Sequence, residues 1–297
     1  MAARRGPQDT LLKWGLLAPA LLLVTATLLY PLAQSFWYSL HEWNLGRTST
    51  IGPFVGIDNY RLILTDDPEF WHSVWVTLVF TVPSVVLTLG IALALALLLA
   101  GGRQLEVNVR TLMVIPFAMS PALIGISWRF LLNPEYGAAD AVLKGLFPPL
   151  EGVAMLAEPT LAMCALIAVD IWHWAPYFML TFVGALASLP QDTIDAAQVD
   201  GAGPFRAFFE VLLPQLWPVL GIAILLKTIF SLKLLDQVVT MTGGGPGTAT
   251  VTLPYIIYET AFRFFDLGYA AAVAYLLAAV MLVLALVYSR LVMERAA

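Results

Sequence analysis

Six apolar stretches, each long enough to cross a bilayer, recur along this chain and constrain its fold more than any other feature. They run over about 15–36, 74–100, 112–132, 161–187, 219–241 and 267–291. A hydrocarbon core about 30 Å thick needs roughly 20 apolar residues in helical form. In lipid a backbone N–H or C=O finds no water, so a spanning segment satisfies these groups within itself as a helix. Residue usage agrees: 60% are apolar and 12% charged, against about 25% charged in a soluble domain. The expected fold class is an all-α integral membrane protein with six transmembrane helices.

Several function classes are excluded on the same grounds. The net charge of −5 is spread over loops, so no basic surface for nucleic acid is implied. The one cysteine, Cys164, precludes an internal disulfide framework. It lies in an apolar run and is expected to be a small core residue. His41, His72 and His173 are scattered, with no carboxylate or cysteine at metal-ligand spacing, so no metal site is expected. No phosphate-binding G-x-x-x-x-G-K-[ST] loop occurs. The glycine-rich run 241–247 lacks the lysine and the preceding strand, and reads as a flexible turn. No nucleophile and base stand at a defined spacing, so there is no catalytic set, and an enzyme is not expected.

Arg4, Arg5 and Lys13 precede the first span. A signal peptide competes with an uncleaved helix here, and five further spans favour the helix. Six spans place both termini on one side of the membrane. With that side inside, Arg4, Arg5, Lys13, Arg103, Arg110, Arg206, Arg290 and Arg295 are cytoplasmic. Arg47, Arg61, Arg129, Lys144 and Arg263 are external, a modest positive-inside bias. Residues 1–14 and 293–297 then form cytoplasmic ends to a single six-span transmembrane domain over 15–292. Trp37, Trp43 and Trp71 suit a membrane interface. Pro116 and Pro121 fall inside the third span and mark a kink.

Polar groups inside the spans are the candidate site. The fourth span carries Asp170-Ile-Trp-His-Trp-Ala-Pro-Tyr177, and the fifth carries Lys227, Ser231, Lys233 and Asp236. An Asp at mid-membrane depth costs about 2.5–3.5 kcal/mol on insertion scales, so it faces a cavity or a partner. Ion pairs that fix helix packing, or lysines snorkelling to the interface, are one reading. The other is a solute site. Trp172, Trp174, Tyr177 and Phe230 interleave with the polar groups, and aromatic faces beside hydrogen-bonding groups suit a polyhydroxyl ligand.

Residues 188–218 form a polar interruption that itself looks helical. Ser188 can cap a helix, with Gln191 closing a capping-box-like pair, and Pro190 fits the first turn. Gly201 and Gly203 break the chain and Pro204 restarts it. Phe205, Phe208, Phe209 and Leu212 share one face, Arg206 and Glu210 pair at i, i+4, and Pro214 and Pro218 end the unit. By spacing alone this is either a linker between spans or a docking element.

The same segment resembles the cytoplasmic EAA loop of membrane subunits of bacterial ABC importers: Glu-Ala-Ala, three residues, Gly, nine residues, then Ile-x-Leu-Pro. Asp195-Ala196-Ala197, Gly201 and Val211-Leu212-Leu213-Pro214 occupy that pattern in register, with Asp for Glu and Val for Ile. Phe54-Val-Gly-Ile-Asp-Asn-Tyr60, Pro116 with Trp128, Asn133-Pro-Glu-Tyr-Gly137, Trp172 with Pro176, Asp200-Gly-Ala-Gly203, Thr242-Gly-Gly-Gly-Pro246 with Ala249-Thr250, and Gly268-Tyr-Ala-Ala-Ala272 are similar to the MalF/UgpA-like permeases of carbohydrate uptake. The resemblance implies the MetI-like ABC importer permease fold in a bacterial cytoplasmic membrane. It implies four kinds of partner: a second homologous permease, two ATPase subunits that bind the ATP, an extracytoplasmic solute-binding protein and a small-molecule solute. No cofactor of the chain's own is implied. The ATPase-coupling set is Asp195, Ala196, Ala197, Asp200, Gly201, Gly203, Pro204 and Pro214. The family's sugar-binding positions, carried across, are Phe117, Asp170, His173, Trp174, Tyr177, Lys227, Phe230, Ser231 and Leu234. Several of these differ chemically from the maltose-type member, which implies another ligand. The expected function is import of a sugar, polyol or related solute. The alternatives are import of glycerol 3-phosphate or another anion, and an ion-coupled secondary carrier motivated by Asp170 and His173.

Overall fold

The computed structural model describes residues 7–99, 104–190, 199 and 201–296, and among them regular structure is helical apart from two isolated β-bridges. Among the described residues five helices are long and apolar enough to cross a membrane, or six if one bent pair counts as a single span. The chain divides into two compact units, residues 1–67 with 257–276, and 68–256 with 277–297.

In the first unit, α1 (Pro7–Val24) passes through a π-helical turn, Thr25–Leu29, into α2 (Tyr30–Ser39). The wide turn lies directly before Pro31, whose missing N–H disturbs the regular ladder. Helix α3 (Asp58–Thr65) folds back on the end of α2. Asn59 Nδ2 donates to the Ser39 and His41 carbonyls at 2.8 and 3.0 Å. The Asn-Tyr of the 54–60 motif therefore closes a helix end whose carbonyls would otherwise be unsatisfied. The first residues of the last helix belong to this unit too. Gly268 passes so close to the His41 carbonyl that a Cβ would sit 2.1 Å from its oxygen.

The second unit is built on α4 (Pro68–Leu99), α9 (Pro159–Ala187) and α11 (Leu213–Leu232). Two apolar clusters stabilise it. One gathers Phe80, Ile124, Leu166, Val169, Val238, Met241 and Tyr255. The other gathers Leu89, Ala92, Ala96, Phe178, Met179, Phe182 and Ala223. Along both α4 and α9 a short polar interval separates them.

The third span is broken where a kinked helix is expected. Helices α5 (Gln104–Met113) and α6 (Ile115–Ala118) end at Met119 and Ser120, α7 (Pro121–Leu131) leaves at 98°, and a short helix α8 (Ala138–Leu146) follows it. A proline forces its predecessor into extended backbone, and Ser120 has φ −69° and ψ 143°. Its hydroxyl then accepts from Leu123 N, capping α7.

The fifth span also differs from the expectation. Pro214 and Pro218 do not end the preceding unit. α10 (Pro204–Ala207), a π-helical turn Phe208–Leu212 and α11 run on as one rod through both prolines. The π turn lies where Pro214 cannot donate, so the register shifts instead of breaking. The rod stops at Leu232, short of 241, and Lys233 and Asp236 are exposed beyond its end. Their charges escape burial. A further π turn, Val238–Thr242, packs on α7, with Gly125 against Thr240.

Three smaller expectations are corrected. The 241–247 run is a pinned turn: Tyr255 Oη donates to Gly243 O at 2.7 Å and Thr250 Oγ1 to Gly245 O at 2.8 Å. Cys164 is exposed, because Ala162, Met163, Ala165 and Leu166 take the inward phase of α9. Ser188 does not start a helix. Its Oγ donates to Ala185 O at 2.7 Å and closes α9, while Gln191 lies outside the described residues.

Candidate functional site

Between the two apolar clusters, α9 and α11 face each other with opposite charges. Asp170, His173, Trp174 and Tyr177 stand at i, i+3, i+4, i+7 on one face of α9, and Lys227, Phe230 and Ser231 at i, i+3, i+4 on α11. Lys227 Nζ lies 2.5 Å from Asp170 Oδ2 and donates to Ser231 Oγ at 3.0 Å. Both charged residues are sealed, with relative exposures of 0% for Lys227 and 1% for Asp170. Ser84 of α4 also donates to Asp170 Oδ2 and lies 3.5 Å from Ser231 Oγ. Three spans thus meet at one neutral polar knot. A buried pair of this kind is weak support for stability in itself, but removing either partner strands a charge.

Aromatic rings enclose the knot. Trp174 and Phe230 stack at 4.4 Å and 15°. Phe117 of α6 stacks on Tyr177 at 4.9 Å and lies 5.7 Å from Trp174 and 6.2 Å from His173. Lys227 Nζ is 5.9 Å from the Trp174 ring centroid, within cation–π range. His173 Nδ1 is buried with no hydrogen-bond partner among the described residues. Eight of the nine expected solute-site residues therefore come together, and the ninth, Leu234, is buried in the neighbouring apolar cluster beyond the end of α11. Ser84 was not expected. Its signal in the sequence is its place in a run of hydroxyl residues at helical spacing on α4.

Asp170, His173, Lys227 and Ser231 at the centre of the knot are all buried. A cavity of about 650 Å³ in this unit is an apolar groove between α4 and α9 lined by residues such as His72, Trp75, Val79, Pro83, Cys164 and Ile167. The polar centre of the site is sealed in this conformation, and its rings are half-buried.

Of the expected coupling residues, Asp195, Ala196, Ala197 and Asp200 lie outside the described residues. Gly201 has φ +79°, a left-handed conformation that glycine adopts without strain. Gly203 follows it, Pro204 opens α10, and Pro214 sits within the long rod. Phe205, Phe208, Phe209 and Leu212 line, with Leu97 of α4, a cavity of about 400 Å³. Arg206 Nε meets Glu210 Oε2 at 2.8 Å on the exposed side.

A polytopic helical protein with a charge-paired centre between broken and bent spans has the build of a permease. Residues 69–293 match the family described as binding-protein-dependent transport system inner membrane component, and the chain belongs to that family. It is 35% identical over 285 residues to the sulfoquinovosyl glycerol transport system permease protein SmoG of Agrobacterium fabrum, covering 96% of this chain and 91% of that one. It is 34% identical over 258 residues to the trehalose/maltose transport system permease protein MalF of Thermococcus litoralis, covering 85% and 83%. Its fold matches a chain of a bacterial ABC transporter involved in import of the acidic polysaccharide alginate, with a TM-score of 0.81 over 97% of this chain and 96% of that chain, at 19% identity. The protein is a multi-pass permease component of the inner membrane, and family membership sets aside the ion-coupled carrier working alone.

Proposed function

We propose that this chain is one of two permease subunits of an ATP-driven importer for a sugar, polyol or related solute. An external binding protein delivers the solute, and two ATPase subunits beneath bind and hydrolyse the ATP. The chain itself supplies no nucleotide site and no cofactor. The observation that carries the reading is the ring-enclosed polar knot of Asp170, Lys227, Ser231, Trp174 and Phe230, shared between spans. Stacked rings beside hydrogen-bonding groups suit the apolar faces and hydroxyl edges of a sugar. The relatives' names, which speak of trehalose/maltose and of sulfoquinovosyl glycerol, support the class.

The mechanism follows from where the site is closed and where the chain can be pushed. Both termini and residues 188–218 face the cytoplasm in this reading. The segment containing Asp195, Ala196, Ala197 and Asp200 docks on an ATPase, and Gly201 gives the sharp turn after it. Pro204 starts the rod that ends at Leu232 and carries Lys227. Motion of the docked segment therefore reaches the knot through one continuous element. Nucleotide at one face and loaded binding protein at the other bias a two-state equilibrium between closed and solute-accepting arrangements.

The test is uptake by the reconstituted complex. ATP inside proteoliposomes should drive it, and an ion gradient alone should not. Gly201→Trp should abolish ATP-driven uptake at unchanged membrane level, and undiminished uptake would remove the coupling assignment. A second reading, import of an anionic solute such as glycerol 3-phosphate, rests on the buried ammonium of Lys227. Competition for uptake between glycerol 3-phosphate and uncharged sugars separates the two.

A further inference from the structure

Helix α4 carries five buried hydroxyl residues in one stripe: Ser73, Thr77, Thr81, Ser84 and Thr88. Their spacings of four, four, three and four keep them on a single face. Ser73 and Thr77 are committed to backbone. Ser73 Oγ donates to Phe70 O, Thr77 Oγ1 donates to Ser73 O, and Thr77 Oγ1 accepts from Leu253 N. The inner three differ. Ser84 holds Asp170 Oδ2. Thr81 Oγ1 and Thr88 Oγ1 are buried with no hydrogen-bond partner among the described residues, as is His173 Nδ1 one helical turn from Asp170 on α9. Buried polar atoms without partners are rare in a native fold.

Close helix packing explains small residues in such a seam, yet it does not require hydroxyls. The same helix shows this: Ala92 and Ala96 continue the stripe at equal burial and meet Phe178, Met179 and Phe182. Past Thr88 the hydroxyls stop, where the apolar cluster of Ala92 and Ala96 begins, and the hydroxyls without a backbone role are the three nearest the polar knot. Thr81 to Thr88 spans about 10 Å of helix. The charges in the knot are already matched, since Lys227 is held by Asp170 and Ser231.

We propose that Thr81, Ser84 and Thr88 form a wall of the solute path contributed by the second span, and that they hydrogen-bond hydroxyl groups of an uncharged, polyhydroxylated part of the solute once the spans part. Asp170 and Lys227 stay paired in that wall and present no net charge. His173 Nδ1 supplies a further bond from the opposite side. The proposal rests on the reading of this chain as an importer permease and adds a helix and a solute chemistry to it.

Cysteine accessibility tests it without knowledge of the solute. In the complex purified with its partner subunits, and on a Cys164→Ser background, single Thr81→Cys, Ser84→Cys and Thr88→Cys variants are compared with Phe230→Cys and Ala92→Cys. Each is treated with anionic sulfonatoethyl and cationic trimethylammonioethyl methanethiosulfonate, without nucleotide and with ATP trapped by vanadate. The three stripe positions should change reactivity with nucleotide state as Phe230→Cys does, while Ala92→Cys stays inert, and the two reagents should react at comparable rates. Stripe positions as inert as Ala92→Cys, with Phe230→Cys responding, would make the stripe a packing seam and leave the importer reading intact. No response even at Phe230→Cys would overturn both. An anionic reagent favoured about tenfold or more would mean an uncompensated Lys227 and a charge-reading path. If Ser84→Cys disturbs assembly, the Thr81 and Thr88 variants decide the outcome alone.

Discussion

The first and fourth spans are both long helices, yet they are opposites in how they are used. The 14–39 span has a mean hydropathy of 2.0 and none of its most apolar window is buried within the chain. The 159–187 span has a mean hydropathy of 1.3, and half of its window is buried. In a water-soluble protein the more apolar helix would be the inner one. In lipid the apolar side chain is at home outside, and the polar one needs a protein partner. The less hydrophobic helix is therefore the core helix, and its polar residues mark the inside.

Three substitutions break or sharpen that contrast, taken from the largest effect to the smallest. Lys227→Met should destabilise the protein by about 3–5 kcal/mol, because Asp170 is left buried and unpaired. Combining it with Asp170→Asn should recover most of that loss. Thermal unfolding of the detergent-solubilised protein reads both, and a single variant as stable as the double would deny the pair its place as an interior feature. Gly125→Ala comes next. Its Cβ would lie 1.9 Å from Thr240 Oγ1, an overpacking that costs about 1–3 kcal/mol. Thr240→Ala should relieve most of this, and a Gly125→Ala protein with unchanged melting would show that the broken third span is looser than its packing indicates. Leu22→Ala, on the exposed first span, should shift stability by less than about 0.5 kcal/mol. A larger loss in the same melting assay would reveal a partner surface on that helix.

Much of the site was legible in the sequence. Asp170, His173, Trp174 and Tyr177 fall on one helical face by spacing, and Lys227, Phe230 and Ser231 do the same. A charge in each of two spans is costly enough to demand a partner. The partner itself was not legible, because Asp170 and Lys227 lie 57 residues apart. Ser84 was not legible, since a single serine costs little in a membrane helix and so demands no partner. Lys233 and Asp236 look as buried as Lys227 on hydropathy, and only the end of α11 at Leu232 separates them from it. The exposure of Cys164 was not legible for a related reason. Hydropathy places a residue in a span but does not give the helix phase that turns it inward or outward.

The sequence by itself determined that this chain is a bundle of membrane helices, where the apolar runs lie, and which polar residues could not remain alone in lipid. Its EAA register and scattered short motifs also carried the family. The tertiary structure alone decided that the third span breaks at Ser120, that the fifth runs through two prolines, and that three distant spans close on one neutral polar knot. The division is physical. Transfer into lipid acts on each residue where it stands, so composition reports it directly. Pairing, helix phase and the geometry around a proline depend on which neighbour supplies the missing hydrogen bond or opposite charge, and that neighbour is fixed only when the helices pack.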